Sequence, residues 1–227
     1  MGNHDSYSDW TPSPDGDENL LREGVAPEKI ERVGNIMIDS LEMLRPRIES
    51  ENAFERFGLK SGSYGVVTLH RPSNVDDSEI LLGLCSALKR IAAGLPLVFP
   101  VHPRTQKNLE KAGLYAQLAQ TAGMHLSPPL SYVPFMNLVF NCRIAVTDSG
   151  GIQEESTYLG IPCFTLRPNT ERPITVTQGT NHLVTADSLE NAVEQALATD
   201  GKRSSAPDLW DGQTALRVAS SIRRFLA

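Results

Sequence analysis

From residue 64 onward the chain repeats one pattern: a short unbroken apolar run, a polar loop, then apolar residues at helical spacing. The unbroken runs at 64–69, 97–101, 143–147 and 162–166 predict strands buried on both faces, because a strand with one wet face would alternate apolar with polar residues. Weaker strands are predicted at 124–126 and 182–184. Residues 77–93 place Leu81, Leu84, Cys85, Leu88, Ile91 and Ala92 on one helical face. Further helices are predicted from the 102–104 loop to about 112, and at 132–140, 151–159, 188–198 and 211–225, the last with Ala215, Val218, Ile222 and Phe225 facing inward. Residues 201–207 read as a loop.

Before residue 64 the pattern is thinner. Residues 1–16, with Pro12, Pro14 and Gly16, predict an irregular arm. A short helix at 19–23 ends at Gly24, a strand covers 30–33, and a helix at 36–44 is interrupted by Pro46. About six rounds of strand, loop and helix predict an α/β fold, a doubly wound parallel sheet of Rossmann-like type. Residues 1–60 form an arm and connecting helical segment, and residues 61–227 the main domain.

The net charge of -6 and the lack of a basic block argue against a nucleic-acid surface. No apolar run is long enough to span a bilayer, and the first residues lack the basic start and apolar core of a secretion signal. Cys85, Cys142 and Cys163 have no metal-ligand spacing and read as small core residues in a reducing compartment, the cytoplasm by default.

In sheets of this kind ligands sit beyond the carboxyl ends of the strands. The unusual loop residues fall there: His70 and Arg71, His102 and Arg104, then Asp148 to Gly151. Gly150 and Gly151 open the first turn of a helix, where unpartnered amides and the helix dipole favour an anion, and Ser149 adds a hydroxyl. That suits a diphosphate; a plain tight turn capped by Ser149 is the alternative. Two glutamates follow at once, an odd choice beside a phosphate. Glu155 lies one turn further in, where a carboxylate can accept from the vicinal hydroxyls of a ribose, while Glu154 reads as a solvated helix face. Arg167 and Arg172 share a strand-end loop that either neutralises a diphosphate or forms one surface ion pair. His70 and His102 occupy matched strand ends, as acid–base groups or simple polar loop residues.

Four segments taken together, TLHRPSNVD (68–76), FPVHPRT (99–105), TDSGGIQEE (147–155) and LRPNTERPITVTQGTN (166–181), resemble the non-hydrolysing UDP-N-acetylglucosamine 2-epimerases. NLLREGV, VGNIMID and LWDGQTALRVA extend the likeness over nearly the whole chain. The resemblance implies the C-terminal half of a glycosyltransferase-B arrangement, in which two Rossmann-like domains enclose the active site. It implies interconversion of UDP-N-acetylglucosamine and UDP-N-acetylmannosamine for polysaccharide synthesis, by elimination of UDP to a glycal and re-addition, with no redox cofactor and no metal.

Carried over by motif, Ser149, Gly150, Gly151 and Arg172 hold the diphosphate, Glu155 the ribose, and Phe135 places uracil through its backbone. His70 sits by the leaving group and reacting sugar. Arg71 and His102 resemble positions that hold a regulatory UDP-N-acetylglucosamine in bacterial members. The family's N-terminal domain, with carboxylates expected to move the C2 proton, has no counterpart before residue 1. The expected partners are therefore UDP or UDP-N-acetylglucosamine, an N-terminal-domain chain, and further copies of this chain. A non-catalytic UDP-sugar module and the donor domain of a UDP-sugar glycosyltransferase are the competing readings.

Overall fold

The central strands send alternate residues into two different cores, and this fixes the layers. The computed structural model describes residues 8–199 and 206–226. In chain order the elements are β1 (Asp9–Thr11), α1 (Pro14–Arg22), β2 (Ile30–Arg32), α2 (Ile36–Glu49), β3 (Gly65–Thr68), α3 (Pro72–Val75), α4 (Ser78–Gly94), β4 (Leu97–Pro100), α5 (Pro103–Lys111) and α6 (Tyr115–Ala119). There follow β5 (Met124–Ser127), α7 (Tyr132–Phe140), β6 (Ile144–Thr147), α8 (Gly150–Leu159), β7 (Cys163–Thr165), α9 (Pro173–Thr177), β8 (Asn181–Leu183), α10 (Ala186–Ala198) and α11 (Thr214–Leu226).

Val67, Leu97, Phe99, Ile144, Val146 and Phe164 point into one core, against α4 and α10. Val66, Val98, Ala145 and Cys163 point into the other, against α2, α7 and α8. Helices on both faces make the sheet doubly wound, as the unbroken apolar runs require. The helix α4 shows the local logic. Asp77 caps it, accepting from the amides of Glu79 at 2.8 Å and Ile80 at 3.1 Å. Its buried stripe includes Leu81, Leu84, Leu88 and Ile91. Each such side chain contributes about 1.5–3 kcal/mol by leaving water.

The six-stranded sheet is wholly parallel, in the order β5-β4-β3-β6-β7-β8. The chain winds outward from β3 to β5, then returns to β6 on the other side of β3. The point where the winding reverses, between β3 and β6, is where such sheets open a crevice. Gly65 stands in this centre because nothing larger fits: an added Cβ would lie 2.8 Å from Leu97 Cδ2 and 2.9 Å from Ile144 Cγ1.

Several expectations change. Within the arm, β1 pairs in parallel with β2, and α1 begins at Pro14; residues 1–7 lie outside the described residues. Of the expected loop at 201–207, residues 201–205 also lie outside them. The helix α2 runs through Pro46 to Glu49, because tertiary contacts hold its last turn. Leu41 and Ile48 are fully buried, and Asn137 Nδ2 donates to the carbonyls of Ile48 at 2.8 Å and Glu51 at 2.7 Å. The short helix α6 was not foreseen from the apolar spacing.

The largest correction concerns α11. Its apolar stripe faces outward: Ile222 is 42% and Phe225 54% exposed, while Thr214 and Ser221 are buried. Polar anchors set this orientation. Asp39 accepts from the amides of Thr214 at 3.0 Å and Ala215 at 2.7 Å, and Ser221 Oγ accepts from Trp10 Nε1 at 3.0 Å. Periodicity identifies a face but not what covers it. Beside the stripe runs a groove of about 600 Å³, lined by Trp10, Ile36, Met37, Val218 and Ile222 among others. Among the described residues no helix is long and apolar enough to cross a membrane.

Two outcomes are expected. Gly65→Ala should lower the urea-unfolding free energy by about 1–3 kcal/mol through overpacking, with an unchanged midpoint showing that the strands yield more easily than stated. The apolar groove should drive self-association. Sedimentation should show mass rising with concentration, and Ile222→Asp should restore the monomer; a monomer mass at every concentration would count against it.

Candidate functional site

At the switch point β3 and β6 run in register, Thr68 opposite Thr147, with their hydroxyls 2.8 Å apart. One residue beyond Thr147 lies Asp148, fully buried. Its carboxylate accepts from the backbone amides of His70 (3.0 Å) and Arg71 (2.9 Å) and from Asn74 Nδ2 (3.1 Å). His70 Nδ1 lies 2.9 Å from the other oxygen. Asn74 also donates to the Leu166 carbonyl at 3.0 Å, so the loops after β3, β6 and β7 are tied at one carboxylate. An acid that would be costly to bury alone is thus given three hydrogen-bond donors and an imidazole within ion-pair distance.

The next residues open α8. Thr147 Oγ1 accepts from the Ser149 amide at 2.9 Å, while the Ser149 side chain makes no capping bond. The hydroxyl and the first-turn amides of α8 therefore stay available. A Cβ added to Gly151 would meet nothing within 4 Å, and one on Gly150 would meet only Glu171 Oε1, at 3.3 Å. The protein's own packing does not demand glycine at 151. The bare backbone instead leaves an open approach to a positive helix terminus.

The loop after β7 is held to this terminus through a buried amide. Gln153 Nε2 donates to the Ser149 carbonyl at 3.1 Å, and its Oε1 accepts from Thr170 Oγ1 at 2.6 Å and Asn181 Nδ2 at 3.0 Å. This brings Glu171 over the helix start. Arg71 Nη2 lies 3.5 Å and Arg167 Nη1 2.5 Å from the Glu171 carboxylate. Arg71 is further fixed by its Nε, which donates to the Asp148 carbonyl at 2.9 Å.

The paired glutamates divide between two environments. Glu155 is 3% exposed and accepts from the Tyr132 hydroxyl at 2.8 Å. Burial pushes its carboxyl up to about 7; the Tyr132 bond opposes this and the Glu154 charge adds to it. Glu154 is not the solvated residue expected. It is 5% exposed, because the side of α8 that carries it packs under the N-terminal segment. Burial raises its pKa, while Arg172 and Asn35 pull it back down. Asn35 Nδ2 donates to Glu154 Oε1 at 2.9 Å, and Arg172 Nε lies 2.9 Å from the same oxygen.

The predicted residues thus fall in several settings. Ser149, Gly150 and Gly151 form the helix terminus, with His70 and Arg71 bound to Asp148 beside it. The rings of His70 and His102 meet at a tilt of 46° with centroids 5.8 Å apart, and His102 Nδ1 also accepts from the Arg104 amide at 3.2 Å. Phe135 is half-buried in the second core and its amide donates to the Ser131 carbonyl at 3.1 Å. Arg172 is paired with Glu154. Asp148, Asn74, Gln153, Tyr132 and Glu171 were given no role from sequence. The one available signal was that all of these but Tyr132 lie inside the segments already singled out.

A parallel sheet wound both ways from a central strand, with a glycine-opened helix terminus at its switch point, is the layout of a nucleotide-binding α/β domain. Residues 3–223 match the family model described as UDP-N-acetylglucosamine 2-epimerase, and the chain belongs to that family. A UDP-N-acetylglucosamine 2-epimerase of Methanocaldococcus jannaschii is 36% identical over 225 residues, covering 96% of this chain and 61% of the relative. One from Methanococcus maripaludis is 35% identical over 207 residues, covering 88% of this chain and 57% of the relative. The crystal structure of the Methanocaldococcus jannaschii enzyme in complex with UDP-GlcNAc and UDP aligns at 34% identity with a TM-score of 0.81, over 96% of this chain and 62% of that one. The chain therefore spans about three fifths of the length of the relatives it matches.

The Glu155 carboxyl sets a pH dependence. Its folded pKa stands above the ordinary 4.5, so between there and about 7 the folded state binds more protons than the unfolded one, and stability falls as pH rises through that window. Glu155→Gln keeps an acceptor for Tyr132 and removes the charge. By urea unfolding it should be more stable than the parent by about 2–3 kcal/mol near pH 8, and about equal to it near pH 4. An equal difference at both pH values would mean the carboxyl is not what titrates.

Proposed function

We propose that this chain binds UDP at the β3–β6 switch point and carries the leaving-group half of the 2-epimerisation of UDP-N-acetylglucosamine. One observation carries the reading: an open, uncapped helix terminus has a carboxylate one turn in, as a nucleotide whose diphosphate and ribose are both held requires. Ser149 and the amides of Gly150 and Gly151 take the diphosphate, Arg172 adds positive charge, Glu155 accepts from the ribose hydroxyls, and Phe135 lies on the uracil side.

In the elimination, a base takes the C2 proton of the sugar. The C2–H electrons form the C1–C2 double bond of a glycal, and the C1–O bond breaks with its electrons going to UDP. The protein must stabilise that departing charge. The α8 terminus and arginines do so, and His70, oriented by Asp148, stands beside the leaving oxygen. Re-addition with protonation on the opposite face gives the other C2 epimer.

Residues 61–227 form the nucleotide domain and residues 1–60 its connecting segment. The base at C2 comes from an N-terminal domain or partner chain that closes over the carboxyl ends of the strands. Arg71 and His102 line a second, regulatory UDP-N-acetylglucosamine site in that cleft. The setting is the cytoplasm, which the three free, buried cysteines support.

A proton NMR time course with UDP-N-acetylglucosamine in heavy water tests the reading. The chain alone should broaden the uridine signals without placing deuterium at C2, and deuterium should appear once an N-terminal half is supplied. Exchange by the chain alone would place the base within it and overturn the division of labour. Glu155→Ala should weaken UDP binding by about 1–3 kcal/mol, and unchanged affinity would remove Glu155 from the site.

A further inference from the structure

The surroundings of Glu171 are unlike those of the other surface acids. Its carboxylate sits over the start of α8, 3.3 Å from where a Cβ of Gly150 would stand. Two guanidinium groups from different loops converge on it, Arg71 at 3.5 Å and Arg167 at 2.5 Å. A helix amino terminus flanked by two arginines favours a doubly charged anion. In this structure a singly charged side chain fills that role.

The arrangement is asymmetric. Arg167 is 11% exposed at the side chain, whereas Glu171 is 44% exposed. The cation is fixed and the anion can swing into solvent. Although Arg167 Nη1 is within ion-pair distance of Glu171, it is buried without a hydrogen bond of proper direction. Phosphate oxygens, free to choose their position, can meet the guanidinium fork in line.

We propose that Arg167 is a diphosphate ligand, and that Glu171 is an internal anion which holds Arg71 and Arg167 in place until the diphosphate displaces it. This rests on the UDP reading of the same site. Glu171 thereby competes with the nucleotide. It prevents the two arginines from repelling each other in the empty site, and it weakens every ligand that must evict it. Ligands with a diphosphate bear that cost, and a nucleoside alone does not.

Titration calorimetry of the full chain, as parent, Glu171→Gln, Arg167→Gln and the double variant, separates the possibilities, with UDP, uridine and inorganic pyrophosphate as probes at one pH and salt concentration. Glu171→Gln should tighten UDP and pyrophosphate about three- to tenfold, the scale of losing one partly exposed ion pair, and leave uridine within about twofold. Arg167→Gln should weaken UDP and abolish the gain from Glu171→Gln in the double variant. Glu171 is exposed, so its replacement does not endanger folding, and melting curves check the Arg167 variants.

Equal or weaker UDP binding by Glu171→Gln would overturn the proposal, as would uridine tightening in parallel. If pyrophosphate tightens as stated while neither UDP nor uridine binds the parent, the placeholder stands and the uridine-nucleotide reading falls. If UDP and uridine bind the parent and Glu171→Gln changes nothing, the nucleotide reading stands and the placeholder falls.

Discussion

One buried carboxylate holds the centre of this molecule together. Asp148 emerges from β6, and most of what it binds belongs to the loop after β3. Parallel strands need distant segments of chain to meet edge to edge, and the crevice at the switch point is where they would splay. Three hydrogen-bond donors on one carboxylate close that gap. Because two of them are backbone amides, the path of the chain through His70 and Arg71 is set before their side chains do anything. The imidazole and the guanidinium then leave a fixed platform.

A second tier of buried polar groups spreads from this point. Gln153 ties the first turn of α8 to Thr170 and to Asn181 on β8, and Asn181 Oδ1 accepts in turn from Thr165 on β7. Such networks are costly when half satisfied and rigid when complete. They explain how a short helix terminus and an irregular loop keep their relation without a packed core between them. The adjacent glutamates divide along the same lines: Glu154 faces one guanidinium and one amide, while Glu155 has a single phenol and little water. Consecutive residues in one helix differ by about a hundred degrees of azimuth, enough for two adjacent acids to meet different partners.

The layered sheet was legible because it depends on local pattern. Runs such as 64–69 and 143–147 can be buried on both faces or not at all, and the two-core alternation of Val66 and Val67 follows. The loops that gather at the strand ends were legible for the same reason. The role of Asp148 was not, since it depends on β3 and β6 being neighbours, which a strand order reveals and a residue spacing does not. Glu154 was misjudged because its partners, Asn35 and Arg172, come from opposite sides of it in sequence. The run through Pro46 depends on Asn137, far along the chain. In α11 the hydrophobic stripe was visible, but the polar anchors that turn it outward, Asp39 and Trp10, lie 175 or more positions from their partners. What local chemistry decides could be read; what two distant residues decide together could not.

Those anchors bear on the order in which the molecule is made. Trp10 gives its indole proton to Ser221, a partner 211 positions later, and Glu31 accepts from that same hydroxyl. On a ribosome the early segment leaves the tunnel long before α11 exists. The six-stranded sheet can assemble meanwhile, since its strands are already present. The β1–β2 pairing is local, but the Trp10 indole and the Glu31 carboxylate on it have no Ser221 to meet until α11 has been made. The segment that carries Trp10 and Glu31 therefore settles only after α11 has been made, and until then it offers an apolar ring and an unpaired acid to whatever meets the growing chain.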